Sequence, residues 1–501
     1  MKRYITILTI GLLFFNSCDE FLTEPDPLKL TQGNFYQTEG EIVAASNGIY
    51  SNIYSIWSSL GLPYNYGELY AGGNSYVYES VGTVNDNLSK CQIASTEASI
   101  SADWNRHYKV IFNTNDFLDI LDGFDKSKLS PGLEEKMRAL ALFVRGTSYY
   151  YLTEVFGDVP LILTVVSPSE GKAQKRQPKA EVIAQVIKDM EYAVANLPAT
   201  YPASEFGKPT KAAANAVLAR ICMSNKMNDK AITACEAIIS SGLYSLDSDG
   251  NSVVNADDYS HVFNAYTTSS KERILTLNFI QGPASSGGYN NGEYAQNYIP
   301  GTAAPIIYLP DDPSKRVIST YGSGAATVSL FNEFETGDVM RKQISAVENL
   351  QTPAGAVVVK PHSAKFYWKF KGPLSDIGTA INIVRYSEIL LNLAELKNDA
   401  SYLNQVRKRA GLPGWGEAGY PTSKYPTLAD AIAHERRVEL SFEYVRGFDL
   451  KRTGKFVQVR SKELSDRLGS TVTLQSWQEL WPIPFRETEI APGLLPNNPG
   501  Y

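Results

Sequence analysis

The sequence predicts a mainly α-helical protein, with a scaffold of paired helices and a long loop-rich segment that carries short strands. Two observations support this fold class. Apolar residues recur at three- and four-residue steps, as at Leu133, Met137, Leu140 and Val144, and this spacing places them on one face of a helix. Between about 246 and 379, Gly, Ser, Asn and Pro interrupt short apolar pieces, which is typical of loops and short strands.

The predicted helices fall into two blocks. One helix begins after Ser130-Pro131 and ends at Gly157, because Pro favours a first turn and Gly a last one. Further helices are predicted at about 180–197, from Thr210 onwards, at 229–240, 383–396 and 402–410, and from Leu428 to about Val445. The helix from Thr210 carries an alanine-rich face, and paired helices with small residues at their crossing points resemble tetratricopeptide-like hairpins.

Two short stretches of the chain read as strands. Ile274–Phe279 lies inside the loop-rich segment, and its β-branched and aromatic residues favour a strand. The aromatic run Phe366–Phe370 is predicted to be a strand that enters the core rather than a surface that binds a ligand. Long loops on a rigid scaffold commonly carry recognition, so the segment between the helical blocks is the expected ligand-facing region.

The N-terminus has the features of a targeting segment. Lys2-Arg3 precedes an apolar run, Tyr4 to Phe15, which is too short to span a bilayer. Cys18 follows the run directly and is followed by acidic residues, an order that resembles a bacterial lipoprotein signal. We therefore predict a signal peptide at 1–17, an acylated (palmitate-bearing) Cys18 and an extended leader over 22–34. The alternatives are an ordinary signal peptide or a buried strand that ends in Cys.

Charge and aromatic content exclude one large class of partners. The chain has 47 Lys and Arg against 53 Asp and Glu, and an acidic balance disfavours nucleic acid, whose affinity depends on cationic contacts to phosphate. Tyrosine is unusually frequent: 30 Tyr exceed the 20 Phe and 6 Trp combined. Each buried Tyr hydroxyl needs a hydrogen-bond partner, so this excess points to half-wet surfaces or binding faces.

The cysteines and acidic turns give no firm metal or disulfide site. Cys91, Cys222 and Cys235 are an odd number, which argues against a disulfide framework; buried free thiols are favoured, and a pairing of Cys222 with Cys235 stays open. The stretch from Asp247 to Asn251 is predicted to be an Asx-rich turn. A loose calcium site is the alternative there, although Gly comes too early and position twelve is Asp258, not Glu.

No catalytic motif stands out. The four histidines are in no metal-ligand spacing, and no nucleophile-elbow, Walker or dinucleotide-binding motif occurs. A carboxylate pair for glycoside cleavage could be formed in many ways from 53 acidic residues, and no spacing selects one. The sequence therefore predicts no catalytic residues, no cofactor and no enzyme activity.

Several segments in order carry recognisable motifs. These segments are Trp104–Asn115, Arg138–Leu161 with its Phe-Gly-Asp-Val-Pro end, Pro209–Arg220, Tyr386–Glu395, Leu403–Leu412, Glu435–Arg452, Trp481–Pro484 and Asn497–Tyr501. Together they resemble the SusD/RagB family of outer-membrane nutrient-binding lipoproteins. Each is weak alone, but the ordered set runs from Cys18 to the last residue. The resemblance implies one SusD-like unit over 18–501, with helical scaffold at about 40–245 and 380–460 and a ligand-facing segment at about 246–379.

The best-matched segment has a structural interpretation. Glu435, Glu439 and Glu443 are spaced four residues apart on the predicted helix from Leu428, so they share one face. Arginines beside them, such as Arg436, Arg437 and Arg446, allow charge-assisted hydrogen bonds to neighbouring helices. We expect these residues to hold the fold together rather than to react.

The resemblance also implies an oligosaccharide platform, in which aromatic rings cover the C–H face of a sugar and polar side chains bind its hydroxyls. Two Tyr-rich regions match the regions that supply ligand contacts in the family. The candidates are Tyr64, Tyr66, Tyr76, Tyr78, Asn74 and Asp86 in the first, and Tyr289, Tyr294, Tyr298 and Tyr321 in the second. For any single Tyr, packing within its own loop is the alternative.

The resulting hypothesis is a lipid-anchored protein on the exterior face of the outer membrane. It would capture oligosaccharides and pass them to a SusC-like TonB-dependent barrel, over which such proteins form a lid. Peptide capture by the same architecture is the alternative; a glycoside hydrolase and a structural adhesin or coat protein are less favoured. No nucleic acid is expected as a partner.

Overall fold

The structure of the chain is a computed structural model. It describes residues 36–57, 61–77, 82–202, 205, 207–279, 307–309, 312–317, 324–348, 350–351, 357–358, 360–369 and 378–501. Cys18 and the signal peptide lie outside the described residues, so the lipid anchor stays a prediction. Among the helices that are described, none is both long and apolar enough to cross a bilayer.

Helices dominate the described chain up to residue 263. They are α1 (Glu39–Ile56), a π-helix (Pro63–Tyr70), α2 (Val84–Ser89), α3 (Ala98–Gly123), a 3-10 turn (Lys126–Lys128), α4 (Leu133–Phe156), α5 (Pro168–Lys172), α6 (Lys179–Asn196), α7 (Lys211–Ser224), α8 (Asn228–Ser240) and α9 (Ala256–Phe263). The predicted helices at 133–156, 180–197, 210 onwards and 229–240 are confirmed. Gly157 ends α4 with φ 75°, a conformation that glycine adopts without strain.

A second helical block follows the loop-rich segment. Its elements, with two short helices that precede it, are α10 (Val328–Phe331), α11 (Val339–Ser345), α12 (Tyr386–Lys397), α13 (Ala400–Arg409), α14 (Leu428–Glu439), α15 (Arg446–Arg452), α16 (Phe456–Leu468), a 3-10 turn (Ser476–Glu479) and α17 (Phe485–Ile490). Thr427 caps α14 by accepting the Asp430 N–H at 3.2 Å, as its position predicts.

Two predicted helix limits were wrong. The helix predicted over 383–396 begins only at Tyr386, because the preceding residues form a strand. The helix predicted to reach Val445 ends at Glu439, since Phe442 (φ 62°) and Tyr444 (φ 65°) turn the backbone into the left-handed region, which an α-helix cannot contain.

The strands form three small antiparallel sheets. Their elements are β1 (Ser75–Tyr76), β2 (Arg273–Leu277), β3 (Ile307–Leu309), β4 (Asp312–Val317), β5 (Ala325–Ala326), β6 (Leu350–Gln351), β7 (Val357–Val358) and β8 (Ile381–Arg385). β1 pairs with β5, β2 with β8, and the third sheet has the order β4-β3-β6-β7. The strand predicted at 274–279 is confirmed as β2. The aromatic run at Phe366–Phe370 is buried at Phe366, Tyr367 and Trp368, but residues 365–369 form turns rather than a strand.

Helix α4 is the centre of the N-terminal block. Every residue from Phe143 to Phe156 is buried, and α4 packs against α1, α3 and α6. Arg145 links two of these helices by donating to both Asp189 oxygens at 2.8 and 2.9 Å. Helix α7 packs between α6 and α8 with its alanine face fully buried, and small side chains allow such close helix contacts. The mainly helical fold class is confirmed.

The three free cysteines are buried, as predicted. Cys91, Cys222 and Cys235 form no disulfide. The acidic turn from Asp247 is an Asx turn, as favoured: Asp249 accepts the Asn251 N–H at 3.0 Å. Asp247, Asp249 and Asp258 bring one carboxylate oxygen each within 4.8 Å of one another, and the calcium alternative remains a prediction.

A buried ion network joins the second helical block to the β2–β8 sheet. Glu435 and Glu439 share one side of α14, as predicted, whereas Glu443 lies beyond the end of this helix. Each of the three contacts an arginine or lysine from another segment. The pairs are Arg341 with Glu435 and Glu439, Arg385 with Glu272, Glu439 and Glu443, Lys365 with Glu443, Arg407 with Glu435, and Arg409 with Glu272 and Glu439. Their charges compensate one another inside the protein, so the structural interpretation is confirmed.

The first Tyr-rich region is not a loop at its start. Tyr64 and Tyr66 lie in the π-helix with no exposed surface. Tyr66 stacks on Tyr70 with ring centroids 5.7 Å apart, and its hydroxyl donates to the Glu479 carbonyl at 2.6 Å. The carbonyl satisfies the polar end of the ring, which lets tyrosine occupy the core. Neither ring can contact a ligand here, so both residues are removed from the candidate ligand surface.

Candidate functional site

A large cleft opens between the second helical block and the β1–β5 sheet. Its volume is about 1440 Å³, which exceeds the roughly 300–1,000 Å³ of pockets that hold drug-sized ligands. Its walls come from β1, α2 and α10 and from α14, α15 and α16. The cleft is therefore bounded by part of the first Tyr-rich region, by the end of the loop-rich segment and by the helical segment 435–452.

Strand pairing joins the first Tyr-rich region to a part of the loop-rich segment. Ser75 pairs with Ala326 and Tyr76 with Ala325, so β1 lies directly beside β5. The Asn74 carbonyl accepts the Thr327 N–H at 2.9 Å, and the Thr327 hydroxyl donates to the Gly73 carbonyl at 3.1 Å. These bonds fix the position of β5 against β1.

Tyr76 is the predicted ligand residue that reaches the cleft surface. Its side chain is half-buried and lines the cleft. The Arg467 guanidinium lies 5.5 Å from the centre of the Tyr76 ring, a cation–π contact. Arg467 also donates to the Ser89 carbonyl at 2.9 Å. The ring is thus held in a fixed orientation with part of its surface accessible.

Two other candidates act mainly as supports. Asp86 is only 2% exposed, and its carboxylate accepts the Gly82 N–H and a Lys90 N–H, both at 2.7 Å. Asn74 is 1% exposed; besides its carbonyl bond to β5, its side-chain oxygen accepts a bond from Arg437 at 3.4 Å. Both residues hold the cleft wall rather than project from it.

The remaining candidates lie outside the described residues. They are Tyr78, Tyr289, Tyr294, Tyr298 and Tyr321. They stay predictions, and Tyr321 comes three positions before Gly324, where the described chain resumes.

Sequence analysis missed a second aromatic residue in the cleft, Tyr425. Its ring stacks on His434 with centroids 3.9 Å apart and planes inclined by 25°, and its hydroxyl donates to Glu333. Tyr425 lies in a Pro- and Gly-rich connection between α13 and α14, and Tyr before Pro in such a loop was the available signal.

His434 bridges two carboxylates below Tyr425. Its ring nitrogens lie 3.2 Å from Glu333 and 3.2 Å from Glu335. Burial opposes the charged form of His434, but the two glutamates outweigh burial and raise its pKa above the usual value. The pKa of Glu335 is held at about 2 because its bonds to His434 and Arg407 outweigh burial. This assembly is a fixed ion cluster in the cleft wall.

Glu463 of α16 lies in the cleft wall and pairs with three arginines. Its carboxylate accepts bonds from Arg437 at 2.9 Å, Arg446 at 2.7 Å and Arg460 at 3.1 Å. Burial works against ionisation, yet the three arginines outweigh burial and lower the pKa of Glu463 to about 2. The same balance lowers the pKa of Glu333, where His434 and Tyr425 supply the main bonds. The carboxylate therefore stays ionised and is committed to structural pairs.

The cleft lacks the electrostatic pattern of a glycosidase in its described walls. Such enzymes need a carboxylic acid whose pKa is raised, so that it can donate a proton. The pKa is instead lowered at Glu333, Glu395, Asp449 and Glu463, because paired cations outweigh burial at each. These groups can bind and orient, but they are poorly suited to give up a proton.

Comparison with known proteins identifies the family of the chain. A model described as "Starch-binding associating with outer membrane" matches residues 64–223, and the model of the SusD family matches residues 314–501. The chain belongs to the SusD/RagB family. The resemblance inferred from the ordered motifs is confirmed, and proteins of this family associate with the outer membrane.

Relatives cover the whole chain at low identity. A SusD-like protein P25 of Formosa agariphila is 26% identical, with 100% of both chains covered. Surface glycan-binding protein A from Bacteroides fluxus has a TM-score of 0.72 at 22% identity, covering 93% of this chain and 100% of the other. Its counterpart from Bacteroides thetaiotaomicron, in complex with laminarihexaose, has a TM-score of 0.70 at 20% identity, covering 92% and 99%. The solved structures share the SusD-like fold with this chain.

Proposed function

We propose that this chain is a lipid-anchored cell-surface protein that captures oligosaccharides and delivers them to a SusC-like TonB-dependent outer-membrane barrel. Family membership supports the location, and the glycan-binding relatives support the ligand class. Acylation of Cys18 would provide the anchor, since lipid chains hold proteins to membranes through burial of their methylene groups.

The observation that carries the proposal is the position of Tyr76. This half-buried ring belongs to β1, which pairs with β5, and it lines the wall of a large cleft. A flat aromatic surface with polar groups around it suits a sugar, whose C–H face packs on the ring while its hydroxyls form hydrogen bonds.

The first Tyr-rich region therefore contributes fewer residues to the proposed ligand surface than the sequence predicts. It keeps Tyr76 and adds Tyr425, which lines the same cleft. The five tyrosines outside the described residues remain proposed contacts. Asn74 and Asp86 contribute by holding the wall, while Tyr64 and Tyr66 belong to the core.

The carboxylates of the same cleft favour binding of a glycan without its cleavage. The structural carboxylates with lowered pKa values are paired with arginine, lysine or histidine, which leaves them unsuited to act as a general acid. We expect oligosaccharides incubated with the chain to remain intact over hours.

Titration calorimetry of the soluble chain from residue 19 onwards with a panel of oligosaccharides tests the proposal. We expect at least one glycan to bind, and Tyr76→Ala to weaken binding by roughly 10-fold, the scale of one lost aromatic contact. Tyr266→Ala is the matched control, because Tyr266 is 46% exposed and does not line the cleft. Equal affinity of both variants, or binding of peptides and of no glycan, would contradict the proposal.

Delivery to a barrel has its own test. We expect the full chain, co-expressed with a TonB-dependent barrel encoded beside it, to co-purify after gentle solubilisation of the membrane. Separation of the two under conditions that keep the barrel folded would contradict the delivery step while leaving glycan capture standing.

A further inference from the structure

The charge of the cleft is opposite to that of the whole chain. Among the described residues that line it, five lysines and six arginines face seven Asp and Glu, whereas the complete chain has 47 basic and 53 acidic residues. A cleft lined by one sign of charge concentrates the field and raises the local concentration of ligands with the other sign. This surplus favours an anionic ligand.

Most of the basic groups already have acidic partners. Lys90 pairs with Asp86 at 2.7 Å, Lys462 with Asp466 at 2.6 Å, and Arg437 with Glu463 at 2.9 Å. Pairs of this kind contribute little net field to the cleft. The excess positive charge therefore comes from the few described lysines and arginines that form no ion pair with a carboxylate.

Among the described residues, Arg467 forms no ion pair with a carboxylate, and Asp86 attracts it only from a longer distance. In the described part of the chain its polar contact is the Ser89 carbonyl at 2.9 Å, and its guanidinium covers the Tyr76 ring at 5.5 Å. Burial and the like charge of Arg460 lower the pKa of Arg467 to about 10. A half-buried guanidinium in this situation gains from a bound anion, which would restore the lost compensation.

Helix α16 extends this basic surface along the cleft. Lys455, just before the helix, Gln458 and Lys462 line the cleft and recur at three- and four-residue steps, so they lie on one side of the helix start. Arg467, five residues beyond Lys462, lines the cleft from another side of the same helix. Lys455 is exposed and adds a second cationic group to the cleft rim.

We propose that the cleft selects acidic oligosaccharides, with a carboxylate or sulfate group of the sugar bound by Arg467 and the ring beside it packed on the exposed part of Tyr76. This inference rests on the proposed function of glycan capture. A guanidinium can donate two parallel hydrogen bonds to either anion, so uronic acids and sulfate esters share the required chemistry.

The decisive comparison uses wild-type protein and matched ligand pairs in calorimetry. One arm compares oligogalacturonides and alginate oligosaccharides with the same molecules after reduction of their carboxylates to alcohols. The other arm compares sulfated galactan oligosaccharides with their desulfated forms. We expect at least one acidic form to bind ~10-fold or more tightly than its neutral counterpart, and to lose affinity as salt is added. The arm that responds identifies the anion.

Substitution locates the effect. We expect Arg467→Gln to remove the preference for the acidic form, with a smaller loss of affinity for the neutral form because the Tyr76 ring also loses its cation–π contact. Arg486→Gln is the control, because Arg486 is exposed on α17 and lies outside the cleft; it removes the same charge without touching the site. The wild-type comparison stands even if Arg467→Gln impairs folding.

Each outcome decides the matter. Equal binding of acidic and neutral forms, or an acidic preference that survives in folded Arg467→Gln, overturns the inference and leaves glycan capture intact. Binding of neutral glycans alone has the same meaning. If no glycan in the panel binds, the proposed function and the inference fall together.

Discussion

The buried ion network gives the sharpest prediction about the fold. Arg385 has no exposed side-chain surface, and its guanidinium donates to both Glu443 oxygens at 2.8 Å and to Glu439 at 2.9 Å, in addition to Glu272. Arg385→Met removes these bonds while keeping a similar volume. Three buried carboxylates then lose the cation that they share.

Removal of one partner from a buried ion pair costs about 3–5 kcal/mol, because it leaves an uncompensated buried charge. We therefore expect Arg385→Met to lower the free energy of unfolding by at least ~3 kcal/mol at neutral pH, measured by urea unfolding with far-ultraviolet circular dichroism. The control is Lys462→Met, since Lys462 and Asp466 have side chains that are 75% and 63% exposed and exposed pairs contribute less than about 1 kcal/mol.

The pH dependence of the same pair of proteins checks the mechanism. The pKa values of Glu439 and Glu443 are lowered in the folded protein, because the neighbouring arginines and Lys365 outweigh burial. Their stabilisation is thus present above the unfolded-state pKa and lost as pH falls. The difference between wild type and Arg385→Met should shrink in acid. Equal stability of Arg385→Met and Lys462→Met at neutral pH would refute this account of the network.

Three further changes test other parts of the molecule. A Cβ at Gly67 would lie 2.5 Å from the Tyr444 carbonyl oxygen, so Gly67→Ala should destabilise by about 1–3 kcal/mol; an unchanged melting temperature would argue against this tight packing. His434 has a raised pKa, so the stability it provides is present in acid and is lost as pH rises through its folded pKa. The stability difference between wild type and His434→Asn should therefore be largest below the ordinary histidine pKa of about 6.5 and fall as pH rises above it, and a difference that grows with pH would be inconsistent. Cys18→Ser should release the chain from the membrane fraction in cell fractionation, whereas undiminished attachment would rule out the lipid anchor.

Much of the helical scaffold could be predicted from local patterns. Helix α4 carries apolar residues at helical spacing between a Pro signal and Gly157, and the structure places its limits at Leu133 and Phe156. The left-handed Phe442 takes Glu443 off the predicted helical face. The shared face of Glu435 and Glu439 could be predicted, since it depends only on four-residue spacing. Their partners could not, because these come from segments far away in the chain.

The Tyr-rich stretch shows what local patterns cannot resolve. Tyr66 and Tyr70 look like surface residues by composition, yet their hydroxyls donate to the carbonyls of Glu479 and Gln478, roughly 400 positions later in the chain. Only the tertiary structure supplies these acceptors. Tyr76, six residues beyond Tyr70, is only half-buried and reaches the cleft.

The end of helix α14, close to the cleft, also depends on tertiary packing. Helix α14 ends at Glu439 although the apolar pattern continues, because Phe442 and Tyr444 take left-handed conformations and lie in the core. That break turns the chain towards α15 and so shapes the cleft. Tyr425 was missed because its contribution depends on stacking with His434 rather than on a sequence motif.

The most direct test of glycan capture at this cleft is a crystal structure of the chain with the tightest-binding oligosaccharide of the panel. We expect an intact oligosaccharide in the cleft, with one sugar ring in van der Waals contact with Tyr76. A sugar bound on a different face of the protein, or one found cleaved, would contradict the account.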